Sequence, residues 1–165
     1  MLTDDFSLST LTELPFGLPG KVFRSAMPFS NYDQQGNLLG AYRQEGVSIV
    51  VLLVGDGECL ERAGVDLRGV YQEKGYEVIQ LAVHDFDSPP NGELKTAVED
   101  ALQGVSGGKN LVVHCYAGVG RTGMFLACMA RQAFGMGAEE AIHWIRSYIP
   151  RAVETNEQIQ MIHEY

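Results

Sequence analysis

The stretch that decides the fold is LVVHCYAGVGRTGMFLACMARQAF, residues 111–134. It begins with a short apolar run, Leu111–His114, which predicts a buried strand. A loop with glycines follows, and Met124–Phe134 is so apolar that it predicts a central, buried helix. A strand, a glycine-bearing loop and a helix in this order favour anion binding. The N–H groups of the loop and the positive end of the helix point at the same place.

Two side chains of this loop carry the predicted chemistry. Arg121 has a planar charged fork that can hold two phosphate oxygens, and Cys115 lies in the same positive field, which favours the nucleophilic thiolate. The alternative is a buried cysteine at the end of a strand. The predicted phosphate-binding residues are Tyr116, Ala117, Gly118, Val119, Gly120 and Arg121. No Walker motif and no second Cys/His pair at ligand spacing occur, so we expect neither a nucleotide loop, nor a metal, nor a cofactor.

The flanking sequence alternates between strand-like and helix-like segments. The predicted strands are Lys21–Ser25, Val47–Val54, Tyr76–Val83 (an inner strand) and Leu111–His114. The predicted helices are Leu39–Glu45, Glu58–Lys74, Glu93–Gln103, Met124–Phe134, Ala138–Tyr148 and a last one from a Thr155 cap to Tyr165. This alternation predicts an α/β fold, a single domain over residues 1–165. Its central, mainly parallel sheet of four to five strands is flanked by helices.

Composition restricts the partners and the compartment. The formal charge is −9, from 12 Lys and Arg against 21 Asp and Glu, which argues against broad binding to nucleic acid or anionic membrane. The chain has no run of 18 apolar residues, and Met1–Thr10 lacks the apolar run of a signal peptide. Three cysteines cannot all pair. We therefore expect a monomeric cytoplasmic protein in which Cys59 and Cys128 are packing residues.

Four segments together resemble one known family. His114-Cys115-x5-Arg121-Thr122-Gly123 is similar to the signature loop of the protein tyrosine phosphatase superfamily. Residues 22–28 (VFRSAMP) are similar to its entry segment, and residues 84–90 (HDFDSPP) to its movable acid loop. Residues 151–158 (RAVETNEQ) are similar to the closing segment of its compact, atypical dual-specificity branch. The resemblance implies a dual-specificity phosphatase-like fold.

The resemblance also implies roles for named residues. Cys115 is the implied nucleophile that forms a cysteinyl-phosphate, and Arg121 and the loop N–H groups hold the phosphate oxygens. Thr122 is implied to stabilise the thiolate when it leaves in the second step. A general acid must protonate the leaving oxygen. Asp85 is the predicted acid, and Asp87 is the alternative; either one can instead be an ordinary turn aspartate.

Supporting roles stay open between two interpretations. His114 either orients the loop through hydrogen bonds or is a satisfied histidine at the end of a strand. Glu154 stands where classical members have glutamine, so either Glu154 acts as a base or Gln158 orients the water. The alternative for both residues is that they only form the start of a helix and take no part in the reaction. Arg24 and Arg151 either shape the rim of the pocket or form salt bridges.

The substrate prediction depends on the variable positions of the loop. Tyr116, Ala117 and Val119 are uncharged, whereas phosphoinositide specialists of the superfamily place lysines there. We therefore expect a phosphoprotein as substrate, with phosphotyrosine first and phosphoserine or phosphothreonine second, or a small aryl phosphate. Three alternatives stay open. They are a non-protein phosphatase (phosphoinositide or RNA 5'-phosphate), an inactive phosphate-binding module, and a thiol oxidoreductase, which needs a resolving cysteine close to Cys115.

Overall fold

The central feature of the fold is a mainly parallel sheet. The computed structural model describes residues 6–84 and 89–165, and in them the sheet has five strands. They are β1 (Thr12–Leu14), β2 (Val22–Ser25), β3 (Val47–Leu52), β4 (Glu77–Gln80) and β5 (Asn110–His114). Their order across the sheet is β1-β2-β5-β3-β4, and only the β1–β2 pair is antiparallel. Helices flank this sheet, so the predicted α/β fold is confirmed.

Strand β5 lies in the middle of the sheet, and its residues are apolar on both faces, as this position requires. Leu111, Val112 and Val113 are fully buried, as a strand covered by helices on both sides requires. Its neighbours β2 and β3 run parallel to it, and Ser25 and Leu52 both lie opposite His114. The carboxyl ends of the three strands therefore meet at one edge. In open α/β sheets this is the edge at which ligands bind.

Seven helices of the described residues flank the sheet and are numbered here in chain order. They are α1 (Leu38–Gln44), α2 (Asp56–Ala63), α3 (Leu67–Glu73), α4 (Asn91–Ser106), α5 (Gly120–Phe134), α6 (Ala138–Arg146) and α7 (Asn156–Glu164). Helix α5 is buried from Gly120 to Ala130 and packs on α6 and α7. Thr155 caps α7 in a capping box with Gln158, as its sequence predicts. No helix in the described residues has the length and apolarity needed to cross a bilayer.

Two predicted elements differ from the observed ones. The helix predicted over Glu58–Lys74 is two helices, because Gly64 ends α2 in a left-handed conformation (φ 73°) and Asp66 caps α3. The strand predicted as inner over Tyr76–Val83 is shorter and lies at the edge of the sheet, as β4. Strand β1 was not predicted, because its three residues are too few to show a period.

Candidate active site

The loop between β5 and α5 forms the floor of a small cavity at the carboxyl edge of the sheet. The cavity has a volume of about 180 Å³ and is lined by Tyr32, Arg62, Cys115, Tyr116, Ala117, Arg121 and Glu154. Cys115 and Arg121 are only 2% and 1% exposed. The fold thus places the predicted nucleophile and the predicted phosphate-binding arginine together at the bottom of one pocket.

The first two carbonyl groups of the loop are held on its outer side. The ring Nδ1 of His114 lies 2.9 Å from the carbonyl oxygen of Cys115. The backbone N–H of Met27, which follows β2, donates to the carbonyl oxygen of Tyr116 at 2.8 Å. These two peptide groups are thereby fixed by residues that lie before the loop in the chain.

The next two carbonyl groups of the loop are held by Arg24 of β2. Its Nη2 donates to the carbonyl oxygen of Ala117 at 2.8 Å, and its Nε donates to that of Gly118 at 3.1 Å. Arg24 is fully buried and therefore lies beneath the loop, away from the rim of the pocket. The structure contradicts both interpretations from the sequence analysis, because in the described residues Arg24 binds backbone carbonyls and forms no salt bridge.

The outward carbonyls determine the direction of the N–H groups. In a planar trans peptide the N–H points away from the C=O. Fixing the carbonyls of residues 115–118 outward therefore turns the N–H groups of residues 116–119 inward. None of these four N–H groups donates to an acceptor in the part of the chain that the structure describes. They form a set of converging donors, which is an anion-binding nest.

The cysteine thiol receives a hydrogen bond from the helix that follows the loop. The Oγ1 hydroxyl of Thr122 donates to Sγ of Cys115 at 3.1 Å, and Thr122 is fully buried. A hydroxyl donor at this distance stabilises a negative charge on sulfur. The structure therefore brings Thr122 to the atom for which the sequence analysis predicted it.

A carboxylate holds the guanidinium of Arg121 in position. Nη1 and Nη2 of Arg121 donate to the two carboxylate oxygens of Glu58 at 3.0 and 2.9 Å, and Nη1 also donates to the carbonyl of Val83 at 2.8 Å. This bidentate pair fixes the plane of the fork. Sequence reasoning missed Glu58, which lies in the first turn of α2, because no local pattern links it to a loop 63 residues away.

His114 lies beneath the loop as a neutral ring. The hydroxyl of Tyr71 lies 2.7 Å from Nε2, while Nδ1 faces the carbonyl of Cys115. A carbonyl only accepts, so Nδ1 carries the proton and Nε2 accepts from Tyr71, a tautomer assigned from these bonds. Burial is the main cause that lowers the pKa of His114 to about 4, and the guanidinium groups of Arg121 and Arg24 act in the same direction. The ring holds the loop through the hydrogen bond from Nδ1, and both of its nitrogens have hydrogen-bond partners, so the two interpretations of His114 hold together.

Aromatic side chains form the wall of the cavity. Tyr32, from a short 3-10 turn over Asn31–Asp33, meets Tyr116 edge to face, with ring centroids 5.0 Å apart. The guanidinium of Arg62 lies 3.8 Å above the ring of Tyr116, and its Nε is 3.3 Å from a carboxylate oxygen of Glu58. Arg62 therefore links the aromatic wall to the carboxylate that holds the guanidinium of Arg121.

Glu154 reaches the pocket and Gln158 does not. The Glu154 side chain packs so closely against Gly120 that a side chain at that glycine would overlap it. Gln158 is fully buried, and its Oε1 accepts the N–H groups of Glu154 and Thr155 at 2.7 and 3.3 Å. Its amide oxygen is thus used at the start of α7, away from the cavity. Val153, the residue before Glu154, has φ 65°, a conformation that is rare for a β-branched residue.

The remaining predicted residues divide into three groups. Asp85 and Asp87 lie outside the described residues. Cys59 and Cys128 are buried in the core, where burial raises their pKa values to about 11 and 12 and keeps both as thiols. Arg151 is exposed and lines a second cavity of about 420 Å³ beside the first.

The amino-acid sequence of the chain is similar to those of known phosphatases. The family model Tc-R-P, described as "Polymorphic toxin system, DSP-PTPase phosphatase", matches residues 31–133. The mouse protein tyrosine phosphatase domain-containing protein 1 is 24% identical over 152 residues, which cover 87% of this chain. The chain spans only about a fifth (20%) of the length of that relative.

Solved structures of similar shape carry the same class of fold. The crystal structure of Tk-PTP in the active form is 29% identical with a TM-score of 0.75, covering 88% of this chain and 90% of Tk-PTP. The structure of PTPMT1 in complex with PI(5)P is 22% identical with a TM-score of 0.72, covering 87% and 88%. At that lower identity the likeness concerns the fold alone.

Proposed function

The chain belongs to the Tc-R-P family of DSP-PTPase phosphatases, and on that premise we propose that it hydrolyses phosphotyrosine in proteins through a cysteinyl-phosphate intermediate. Phosphoserine and phosphothreonine are weaker substrates under this proposal. The observation that carries it is the loop itself. The four N–H groups of residues 116–119 turn inward, and Cys115 and the fork of Arg121 line the same cavity.

In the first step, the thiolate of Cys115 attacks phosphorus in line with the leaving oxygen. The S–P bond forms while the P–O bond to the substrate breaks, and the leaving oxygen takes a proton from Asp85, with Asp87 as the alternative acid. The charge on the three equatorial oxygens is held by the inward N–H groups and by Arg121. Because Glu58 and the carbonyl of Val83 fix the fork in advance, it needs little reorganisation in the transition state.

In the second step, water attacks the phosphocysteine and the thiolate leaves. The hydroxyl of Thr122 already donates to Sγ at 3.1 Å, so it stabilises the charge that returns to sulfur. Glu154 lines the same cavity, and we assign to it the acceptance of a proton from the attacking water. We assign no part in this step to Gln158, because it is not among the residues that line the cavity and its amide oxygen is bonded to the backbone at the start of α7.

The shape of the cavity supports an aryl phosphate. Its volume of about 180 Å³ is below the roughly 300–1,000 Å³ of sites for drug-sized ligands, so it accommodates a phosphate and one ring. The rings of Tyr32 and Tyr116 provide an apolar wall on which a phenyl group can pack. The variable loop side chains are uncharged, which disfavours a headgroup with several phosphates.

Hydrolysis of para-nitrophenyl phosphate tests the activity. The wild-type protein is expected to turn it over without added metal, and Cys115→Ser is expected to remove turnover. Cys128→Ser is the matched control, because it changes a second buried cysteine away from the cavity. Arg121→Ala is expected to weaken inhibition by vanadate. Turnover that survives in Cys115→Ser, or that is lost equally in Cys128→Ser, contradicts the mechanism.

A substrate panel tests the choice of phosphate. Matched peptides with phosphotyrosine, phosphoserine or phosphothreonine are compared with a phosphatidylinositol monophosphate in detergent micelles. The proposal expects the highest kcat/KM for phosphotyrosine. A higher kcat/KM for the lipid, or for phosphothreonine, refutes the substrate assignment and leaves the cysteine mechanism in place.

A further inference from the structure

Arg24 is a charged side chain deep beneath the active-site loop, on the side away from the substrate. It is fully buried, and in the described residues no carboxylate pairs with it. The hydrogen bonds that it forms within residues 6–84 and 89–165 all go to backbone carbonyls. A buried guanidinium without a counter-ion is costly to keep charged, so its presence calls for a role beyond packing.

The carbonyls that Arg24 binds come from two separate segments. On one side they belong to Ala117 and Gly118 of the loop, at 2.8 and 3.1 Å. On the other side Nη1 donates to Thr10 at 2.9 Å and makes longer bonds to Ser7 and Leu8, both at 3.4 Å. The planar fork therefore ties residues 7–10, which precede β1, to the middle of the loop.

The loop cannot rearrange easily around this contact. Gly118 has φ 77°, a left-handed conformation that favours glycine. A side chain at Gly118 would overlap both Nη2 of Arg24 and the carbonyl oxygen of Ser25. Arg24 and the loop backbone are thus packed against each other with no room for another side chain.

We propose that Arg24 is a positioning residue for catalysis, which aims the N–H groups of Gly118 and Val119 at the phosphate by holding the carbonyls of Ala117 and Gly118 outward. Each of these N–H groups shares a planar peptide unit with one of the two carbonyls. Released carbonyls would be free to turn toward the pocket, where they would repel the phosphate oxygens. The role rests on the proposed phosphatase function, since it concerns the same loop.

The charge of Arg24 has a second effect at the loop. Burial lowers the pKa of Arg24 to about 10, so the group is still a cation at neutral pH, and a negative Cys115 acts to raise that value. Arg24 thus places a positive charge beneath the loop, while Arg121 lines the cavity above it.

Two substitutions separate the geometry from the charge. Arg24→Lys keeps a cation but lacks the planar fork that binds two carbonyls. Arg24→Met removes both. Arg131→Met is the matched control, because Arg131 also donates to backbone carbonyls, those of Met136 and Ile162 at 3.2 and 2.7 Å, but away from the cavity.

The readouts are vanadate inhibition and the separate kcat and KM values for para-nitrophenyl phosphate. Arg24→Met is expected to lose about 100-fold or more in kcat/KM, the size found for one lost oxyanion donor. Arg24→Lys is expected to weaken vanadate binding by about tenfold. Arg131→Met should keep wild-type values in both readouts.

Wild-type values in folded Arg24→Lys and Arg24→Met overturn the inference. If both variants fail to fold, the wild-type protein still provides a test through the NMR signal of the Arg24 Nε–H, which bonds to Gly118. Binding of vanadate should shift this signal and slow its exchange with water; an unchanged signal overturns the inference. A wild-type chain that binds vanadate with these effects but hydrolyses no phosphoester refutes the proposed function and leaves only the aiming of the loop N–H groups at an anion by Arg24.

Discussion

Asparagine in place of His114 is expected to flatten the dependence of folding stability on pH. Asn can place its amide N–H near the position of Nδ1 and keep the hydrogen bond to the carbonyl of Cys115. It does not titrate, and it cannot reach the hydroxyl of Tyr71 as Nε2 does. The variant should therefore be less stable than wild type at pH 7, and its stability should respond less to acid.

The magnitude follows from the difference between the folded and unfolded pKa values of His114. The unfolded chain takes up this proton as the pH falls through about 6.5, whereas burial delays uptake in the folded chain until about pH 4. Between these values the unfolded state binds more protons, so the free energy of unfolding falls as the pH drops. From pH 7 to pH 5 the loss due to His114 is about 2 kcal/mol.

Urea unfolding followed by far-UV circular dichroism at pH 7 and pH 5 measures this difference. Wild type should lose about 2 kcal/mol more than His114→Asn over the interval, because all other titrating groups are common to both chains. Tyr71→Phe is the control: it removes the hydrogen bond to Nε2, leaves His114 in place, and should keep the wild-type slope at a lower stability. An equal loss in wild type and His114→Asn refutes the assignment of a buried, neutral His114.

Three further predictions concern the loop and its supports. Glu58→Gln removes the carboxylate from the pair with Arg121. Urea unfolding should show a loss of roughly 3 kcal/mol in the free energy of unfolding, and inhibition by vanadate should weaken. Unchanged inhibition argues against a role of Glu58 in holding Arg121. Thr122→Val should lower kcat about tenfold or more by slowing release of the thiolate, so a rapid-quench assay should show a burst of product that wild type lacks. Gly118→Ala should abolish activity, because a side chain there overlaps neighbouring atoms. Gly135→Ala has a similar φ of 69° in open space, so thermal unfolding should reveal only a backbone penalty of about 1 kcal/mol.

The sequence predicted the parts of the site that are local in the chain. Cys115 and Arg121 are separated by five residues, and the strand before them and the helix after them show in the apolar pattern, so their meeting in one pocket follows from the motif alone. The parallel sheet and the capping of α7 by Thr155 follow from equally local signals. The monomeric state and the cytoplasmic location remain predictions.

The supports of the site could not be predicted, because they come from distant parts of the chain. Glu58, Tyr71 and Arg24 act on the loop over separations of 63, 43 and more than 90 residues. Their contacts depend on strand order and on where α2 and α3 begin. One helix was predicted where α2 and α3 lie, because the apolar period continues across Gly64 and the pattern does not reveal the left-handed φ of that glycine.

The two buried arginines explain how an acidic chain provides a site for an anion. The net charge of −9 opposes a phosphate at long range, but the loop lies between two guanidinium groups in a region shielded from water, where nearby charges dominate. Arg121 is paired with Glu58, so its geometry is fixed and part of its charge is offset. Arg24 binds only carbonyls in the described residues, so its positive charge is not offset there. Arg24 therefore contributes a positive charge that acts at short range, which favours one phosphate in the pocket and gives little attraction to a polyanion outside it.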